Sequence, residues 1–124
     1  ASMRLRGHRC FNRLHRSSKR QHGTLMVLRV ASGDSNLLRR EMRGMRDQCC
    51  RCALVISSKV SKRAVKRNHL RRLLHDHLRR RFEQRNDLAG RWLLISLRPE
   101  AAEAEPTQLL EECDSLLRSA GLDP

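Results

Sequence analysis

Read from the N-terminus, the apolar positions of the 124-residue chain change period several times, and each change marks an element. Cys10, Phe11 and Leu14 stand at helical spacing and predict a short helix over 8–16. The aliphatic run Thr24–Ala31, bounded by Gly23 and by Ser32-Gly33-Asp34, predicts a mostly buried strand, preceded by a shorter one across Lys19–His22. From Ser32 to Gln48 the chain is polar, as in a long connection or a hairpin with an extended tip. Residues Cys50–Ser57 contain an unbroken Ala53-Leu54-Val55-Ile56 and predict a central strand, because a continuous apolar stretch implies burial on both faces.

Then the period lengthens. Leu70, Leu73, Leu74, His77, Leu78 and Arg81 or Phe82 recur at steps of three and four, which predicts one long helix from about Lys62 to Gln84, ended by Asn86-Asp87 and Gly90. Trp92–Leu97 follows as a buried strand stopped by Arg98-Pro99. Leu109, Leu110, Cys113, Leu116, Leu117 and Ala120 form the stripe of a last helix, with Pro106 near its start and Gly121 past its end. The order α-β-β-β-α-β-α predicts an α+β sandwich: one domain over residues 1–124, with helices packed on one face of a four-stranded, partly parallel sheet. Residues 1–7 are expected to be flexible and 32–48 to form a long connection.

Charge narrows the picture. Lys and Arg number 27 against 13 Asp and Glu, a net +14. Solubility asks for a net charge of only about 2–8 in a small domain, whereas neutralising phosphates releases condensed counterions and favours a polyanion. The excess is rich in Arg, whose planar fork can hold a phosphate bidentately or stack on a base. A membrane-surface helix would instead need an apolar face with Trp or Phe, which none of the predicted helices has. No apolar run approaches the roughly 18 residues that span a bilayer, and the start of the chain lacks a signal-peptide core. A cytoplasmic protein is expected, with no membrane contact.

The charge concentrates in the segment from Ser58 to Arg81. On a helix its leucines gather on one side, and Asn68, Arg71, Arg72, His75 and Arg79 form a neighbouring stripe. Like charges that close repel until a polyanion relieves them. A solvated charged face would normally carry Glu at i−4 to offset the arginines, and here only Asp76 and Glu83 are acidic. The final helix reverses the sign, with Glu111, Glu112 and Asp114, so its outer face is expected to point away from a phosphate backbone.

A strand ending in Val55-Ile56-Ser57-Ser58-Lys59, followed by Ala64-Val65-Lys66-Arg67-Asn68-His69-Leu70-Arg71-Arg72, resembles the signature of the protein subunit of bacterial ribonuclease P, whose helix carries Ala-Val-x-Arg-Asn-Arg-x-Lys-Arg. The resemblance extends over nearly the whole chain, through Leu25–Val30, Ile95–Pro99 and the final Leu-rich helix. It departs from the family at His69 and His75, where Arg is usual. It implies a ribosomal-protein-like fold and a protein without catalytic residues of its own, which assists a catalytic RNA in removing the 5′ leader of precursor tRNA. It also implies that the RNA subunit and the precursor tRNA are partners, that no protein partner is obligatory, and that Mg²⁺ acts with the RNA while the protein alone binds no cofactor. The RNA-binding residues would be Lys59, Lys62, Arg63, Lys66, Arg67, Asn68, Arg71, Arg72, His75 and Arg79. A leader cleft would involve Phe11, His15 and Arg29, with a plain core residue as the alternative reading of Phe11. A general structured-RNA binder, such as a ribosomal protein or RNA chaperone, shares the charge and fold class and stands as the alternative. A DNA-binding regulator would want a helix-turn-helix pair, against which the long helix flanked by strands argues.

Other chemistry fits less well. On a strand, Cys50 and Cys52 point to one face and Cys49 to the other, so the three sulfurs cannot converge on a tetrahedral metal. His69, His75 and His77 lack an i, i+4 pair. A protein-borne nuclease needs clustered carboxylates or a His pair around a phosphate, and the acids of the basic half are scattered.

Overall fold

The computed structural model describes residues 19–32, 51–82 and 91–122. In order these form β1 (Lys19–His22), β2 (Met26–Ser32), β3 (Arg51–Val55), α1 (Ala64–Phe82), β4 (Arg91–Leu97), a 3-10 turn (Pro99–Glu103) and α2 (Pro106–Ser119). The α+β class and the four-stranded, partly parallel sheet are as the sequence predicts. The expected helix over 8–16, the flexible 1–7, residues 33–48 of the long connection and the helix end beyond Phe82 lie outside the described residues.

The sheet runs β1-β2-β4-β3. β2 pairs antiparallel with β1 and β4, whereas β3 and β4 are parallel. Parallel neighbours need a crossover, and α1 supplies it. The expectation that the Cys50–Ser57 run is a central strand is corrected here: β4 is central, and β3 stands at the edge of the described sheet. Its apolar run is real, yet only Arg51, Cys52 and Ala53 are fully buried, while Leu54 is half-buried and Val55 exposed. An apolar run reports covered faces, not the number of hydrogen-bonded neighbours.

The register settles which side chains share a face. Val30 stands opposite Leu93, Leu28 opposite Ile95, and Met26 opposite Leu97, with Cys52 beside Leu93. These residues pack under Leu70, Leu74, Leu78 and Phe82 of α1 and Leu109, Cys113, Leu116 and Leu117 of α2 in one core. Burying each such Leu contributes about 1.5–3 kcal/mol. The i, i+4 ladder Leu70-Leu74-Leu78-Phe82 therefore fixes the roll of α1 on the sheet. α2 begins with a capping box between Glu105 and Gln108, has Pro106 in its first turn, and is followed by Gly121 at φ 84°, a left-handed conformation that suits glycine.

The β1–β2 hairpin is fastened from α2. Glu112 accepts hydrogen bonds from Thr24 N at 2.9 Å and Leu25 N at 2.8 Å. Gly23 leaves room for this carboxylate, since a Cβ there would stand 2.7 Å from Glu112 Oε2 and 3.0 Å from the Met26 carbonyl oxygen.

Candidate RNA interface

With its leucine ladder on the sheet, α1 turns its other residues in two directions. At about 100° per residue, Arg71, His75, Asn68, Arg79 and Arg72 fan over roughly 100° on one flank. Lys66, Leu73, His77 and Arg81 fall on the other, beside α2. The two flanks do different work.

The α2 flank is neutralised by the protein itself. Asp114 accepts from His77 Nε2 at 2.7 Å and from Arg81 Nη2 at 3.1 Å. Lys66 Nζ donates to the Ala102 carbonyl at 3.1 Å. Lys66, assigned from sequence to the RNA-binding set, thus sits on the opposite flank from the stripe. The two Asp114 contacts bridge the basic helix to the acidic one, the Lys66 contact ties it to the 3-10 turn before it, and sequence reading missed all three because their partners are 33 to 37 positions apart.

The other flank is open. Asn68 and Arg72 are exposed and Arg71 half-exposed. Arg71 Nη1 donates to Asn68 Oδ1 at 2.8 Å, which aims the guanidinium along the helix. Arg79 pairs with Asp76 at 3.0 Å, a bond between side chains that are each about half exposed, and such surface pairs are worth about 0–1 kcal/mol. A phosphate can compete for that arginine. His75 lies at the foot of the stripe, half-buried, with Nε2 3.8 Å from Cys52 Sγ on β3.

The approach to the helix adds further cations. Lys59, Lys62 and Arg63 are exposed on the segment that enters α1. Ser57 Oγ accepts from Lys59 N and Ser61 Oγ from Arg63 N, each at 3.2 Å, and these bonds shape the entry. Arg67 is different: half-buried, it folds back so that Nη1 donates to the Ser61 carbonyl at 2.8 Å. One edge of its fork braces the entry.

The first turn of α1 contains no acid. Positive side chains beside the positive end of a helix dipole raise the energy of the free protein, and an anion lowers it. Nineteen residues of α1 hold seven Lys and Arg and one Asp. The arrangement suits the phosphates of a structured polyanion.

On the opposite face of the sheet, Arg29 of β2 is half-buried and stands directly across from Arg20 of β1. Burial and the neighbouring Arg20 lower the Arg29 pKa. Phe11 and His15, the other residues assigned to the leader cleft, lie outside the described residues. Arg51, at the start of β3, is buried to 1% on this same side, which sequence reading did not single out. Among the described residues, no group of three or more His, Cys, Asp or Glu is placed to hold a metal ion, and no helix is long and apolar enough to cross a membrane.

Comparison with known families decides what this arrangement belongs to. The family model Ribonuclease P matches residues 1–121. The chain belongs to the Ribonuclease P protein family. It is 75% identical over 122 residues to the ribonuclease P protein component of Parasynechococcus marenigrum (strain WH8102), covering 98% of this chain and 95% of that protein. To the same component of Synechococcus sp. (strain CC9902) it is 73% identical over 123 residues, covering 99% and 96%. The fold is also that of the RNase P protein of Staphylococcus aureus, with a TM-score of 0.77 at 14% identity over all of both chains. The RNase P protein from Thermotoga maritima gives 0.68 at 20% identity, over 94% of this chain and 96% of that one. The Ribonuclease P match over nearly the whole chain leaves the alternative of a general RNA binder without support.

Proposed function

We propose that the chain is the RNA-binding protein subunit of a bacterial ribonuclease P, that it docks on the catalytic RNA through the open flank of α1, and that it helps place the 5′ leader of precursor tRNA. The observation that carries this reading is the stripe of Asn68, Arg71, Arg72, His75 and Arg79, with Lys59, Lys62 and Arg63 at its head. It is cationic, outward-facing, and opposed within α1 by the single acid Asp76. Arg67 contributes from its margin, with one donor committed to Ser61, and Lys66 from the other flank of α1, with one donor committed to Ala102. Arg29, with Phe11 and His15, would line the leader cleft.

In this reading the hydrolysis belongs to the RNA. The Mg²⁺ ions it uses would sit on RNA oxygens, and the protein supplies charge and positioning that let the complex form at lower Mg²⁺. The protein works in the cytoplasm, with the RNA subunit and precursor tRNA as partners, no obligate protein partner and no membrane.

The test is tRNA 5′ maturation by a bacterial ribonuclease P RNA at low Mg²⁺, with and without the protein. Stimulation is expected, together with tighter binding of precursor than of mature tRNA. No stimulation, or equal binding of both tRNAs, would sink the idea.

A further inference from the structure

Between the open flank of α1 and its α2 flank runs a line of exposed residues that belongs to neither. At about 100° per residue, Val65, His69 and Asp76 fall within roughly 20° of the direction opposite the buried ladder Leu70-Leu74-Leu78-Phe82, with Arg80 beside them. All four are exposed, and they form the crest of the helix. Val65 is 81% exposed, the most exposed large hydrophobic side chain among the described residues. Asp76 is the single acid of α1. The crest is therefore poor in positive charge on a helix that holds seven Lys and Arg.

Folding accounts for neither Val65 nor Asp76. Both are poorer helix formers than Ala, Lys or Arg. Val65 takes no part in the core, and the bond from Arg79 to Asp76 is a surface pair of the kind that adds little stability. Phosphate binding does not account for them either. A surface built only to hold phosphates would gain from a cation at both positions, and Asp76 repels the anions that its neighbours attract. A lone exposed valine is ordinary on a protein surface. A valine and the single acid on the outermost line of a cationic helix, eleven residues and about 16.5 Å apart, point to contacts of another chemistry.

We propose that the crest of α1 enters the minor groove of a double-helical segment of the RNA subunit, where Val65 packs against ribose carbons and Asp76 accepts a hydrogen bond from a ribose 2′-hydroxyl. This rests on the ribonuclease P reading and deepens it, by naming the part of the RNA that each line of the helix meets. An A-form minor groove is wide, shallow and lined by 2′-hydroxyls, with phosphates at its rim. Arg71, Arg72 and Arg79 of the open flank hold the rim, and the crest lies past them against the sugars. The α2 flank leaves the second rim alone, since Asp114 already engages Arg81. An ionised carboxylate only accepts hydrogen bonds, and in the sugar-phosphate backbone of RNA the 2′-hydroxyl is the one donor. Arg79 engages Asp76 through Oδ1 alone, at 3.0 Å, so acceptor capacity remains. DNA lacks the hydroxyl and, in B form, has a narrower minor groove, so the crest adds a preference for RNA that a cationic stripe alone does not have.

The experiment uses the full chain and a bacterial ribonuclease P RNA, with heparin as a polyanion that has no ribose-lined groove. Val65→Ala should bind the RNA about tenfold more weakly, the loss expected for two methyl-sized groups. Its slope of log affinity against log salt should match wild type, because no phosphate contact is lost, and its heparin affinity should not change. Asp76→Ala is read by interference: the RNA, carrying scattered 2′-deoxy substitutions, is partitioned into bound and free. At least one position where the missing hydroxyl weakens wild-type binding should no longer matter for Asp76→Ala. Thermal melting monitors the fold, and both variants place a better helix former at an exposed site, so neither should unfold the protein. Wild-type RNA affinity in Val65→Ala, equal losses toward RNA and heparin, a flattened salt slope, or identical interference patterns for wild type and Asp76→Ala would each overturn the proposal. Failure of wild-type protein to stimulate processing would instead overturn the reading on which it rests.

Discussion

Arg71 Nη1 and Asn68 Oδ1 meet at 2.8 Å on the exposed flank of α1, so the Arg-Asn motif does more than add charge: the asparagine aims an arginine three residues on. Asn is a poor helix former compared with Ala, and at this exposed site Asn68→Ala should stabilise the protein by up to about 0.7 kcal/mol. It should also weaken RNA binding, because Arg71 loses its orientation. All cations remain, so the salt slope should not change. Arg71→Ala should flatten that slope by about 0.9 if it meets a duplex phosphate. Equilibrium denaturation and a salt titration of RNA affinity separate the two variants, and a flattened slope for Asn68→Ala would count against the aiming role.

Arg67 and Arg72 look alike in sequence and are not alike in structure. Arg67 donates to the Ser61 carbonyl from a half-buried position, whereas Arg72 is exposed. Arg72→Ala should leave stability within about 0.5 kcal/mol of wild type and reduce RNA affinity. Arg67→Ala should cost about 1 kcal/mol of stability in addition. Urea unfolding of both variants checks this, and equal midpoints would remove the bracing role from Arg67.

The contrast shows where sequence reading reached its limit. The leucine ladder, the four strands and the stripe Asn68-Arg71-Arg72-His75-Arg79 were legible because each depends on spacing within one element. The position of β3 at the sheet edge was not, because strand order depends on where the α1 crossover sets the chain down. Nor was the split of the cations: Lys66 and Arg67 satisfy the motif but spend donors on Ala102 and Ser61.

Asp114 ties the basic helix to the acidic one by accepting from both His77 and Arg81. Its side chain is only 13% exposed, so the tie is better shielded than an ordinary surface pair. Asp114→Ala should cost about 1–3 kcal/mol, the penalty expected when partly buried donors are left without an acceptor. RNA affinity at constant folded fraction should hardly move, since this flank faces α2. A drop in binding larger than the drop in stability explains would mean that the α2 flank also meets RNA.

Gly23 and Glu112 make a similar test of the hairpin. Gly23→Ala would push a Cβ to within 2.7 Å of Glu112 Oε2 and displace the carboxylate from Thr24 N and Leu25 N. The expected cost is about 1–3 kcal/mol, read as an earlier thermal transition. In the Glu112→Ala background most of that cost should vanish, because the obstructing group is gone. Additive destabilisation in the double variant would show that the two residues do not interact.

Cys113 gives the fold a pH dependence at its alkaline end. It is 1% exposed, on the buried face of α2, and burial first, then the neighbouring Asp114, pushes its thiol up from an ordinary value near 9 to about 12. The unfolded chain therefore releases this proton at lower pH than the folded one. Between these two values the unfolded state binds fewer protons, so stability must fall as pH rises. The contribution is complete below pH 9 and is lost as pH climbs toward 12. Cys113→Ala should remove that part of the slope while costing some packing at neutral pH. In the folded wild type the thiol should resist alkylation at pH 8, because the thiolate is the reacting species, and should react once the chain is unfolded in urea. Rapid labelling of Cys113 in the native protein would contradict both the burial and the raised pKa.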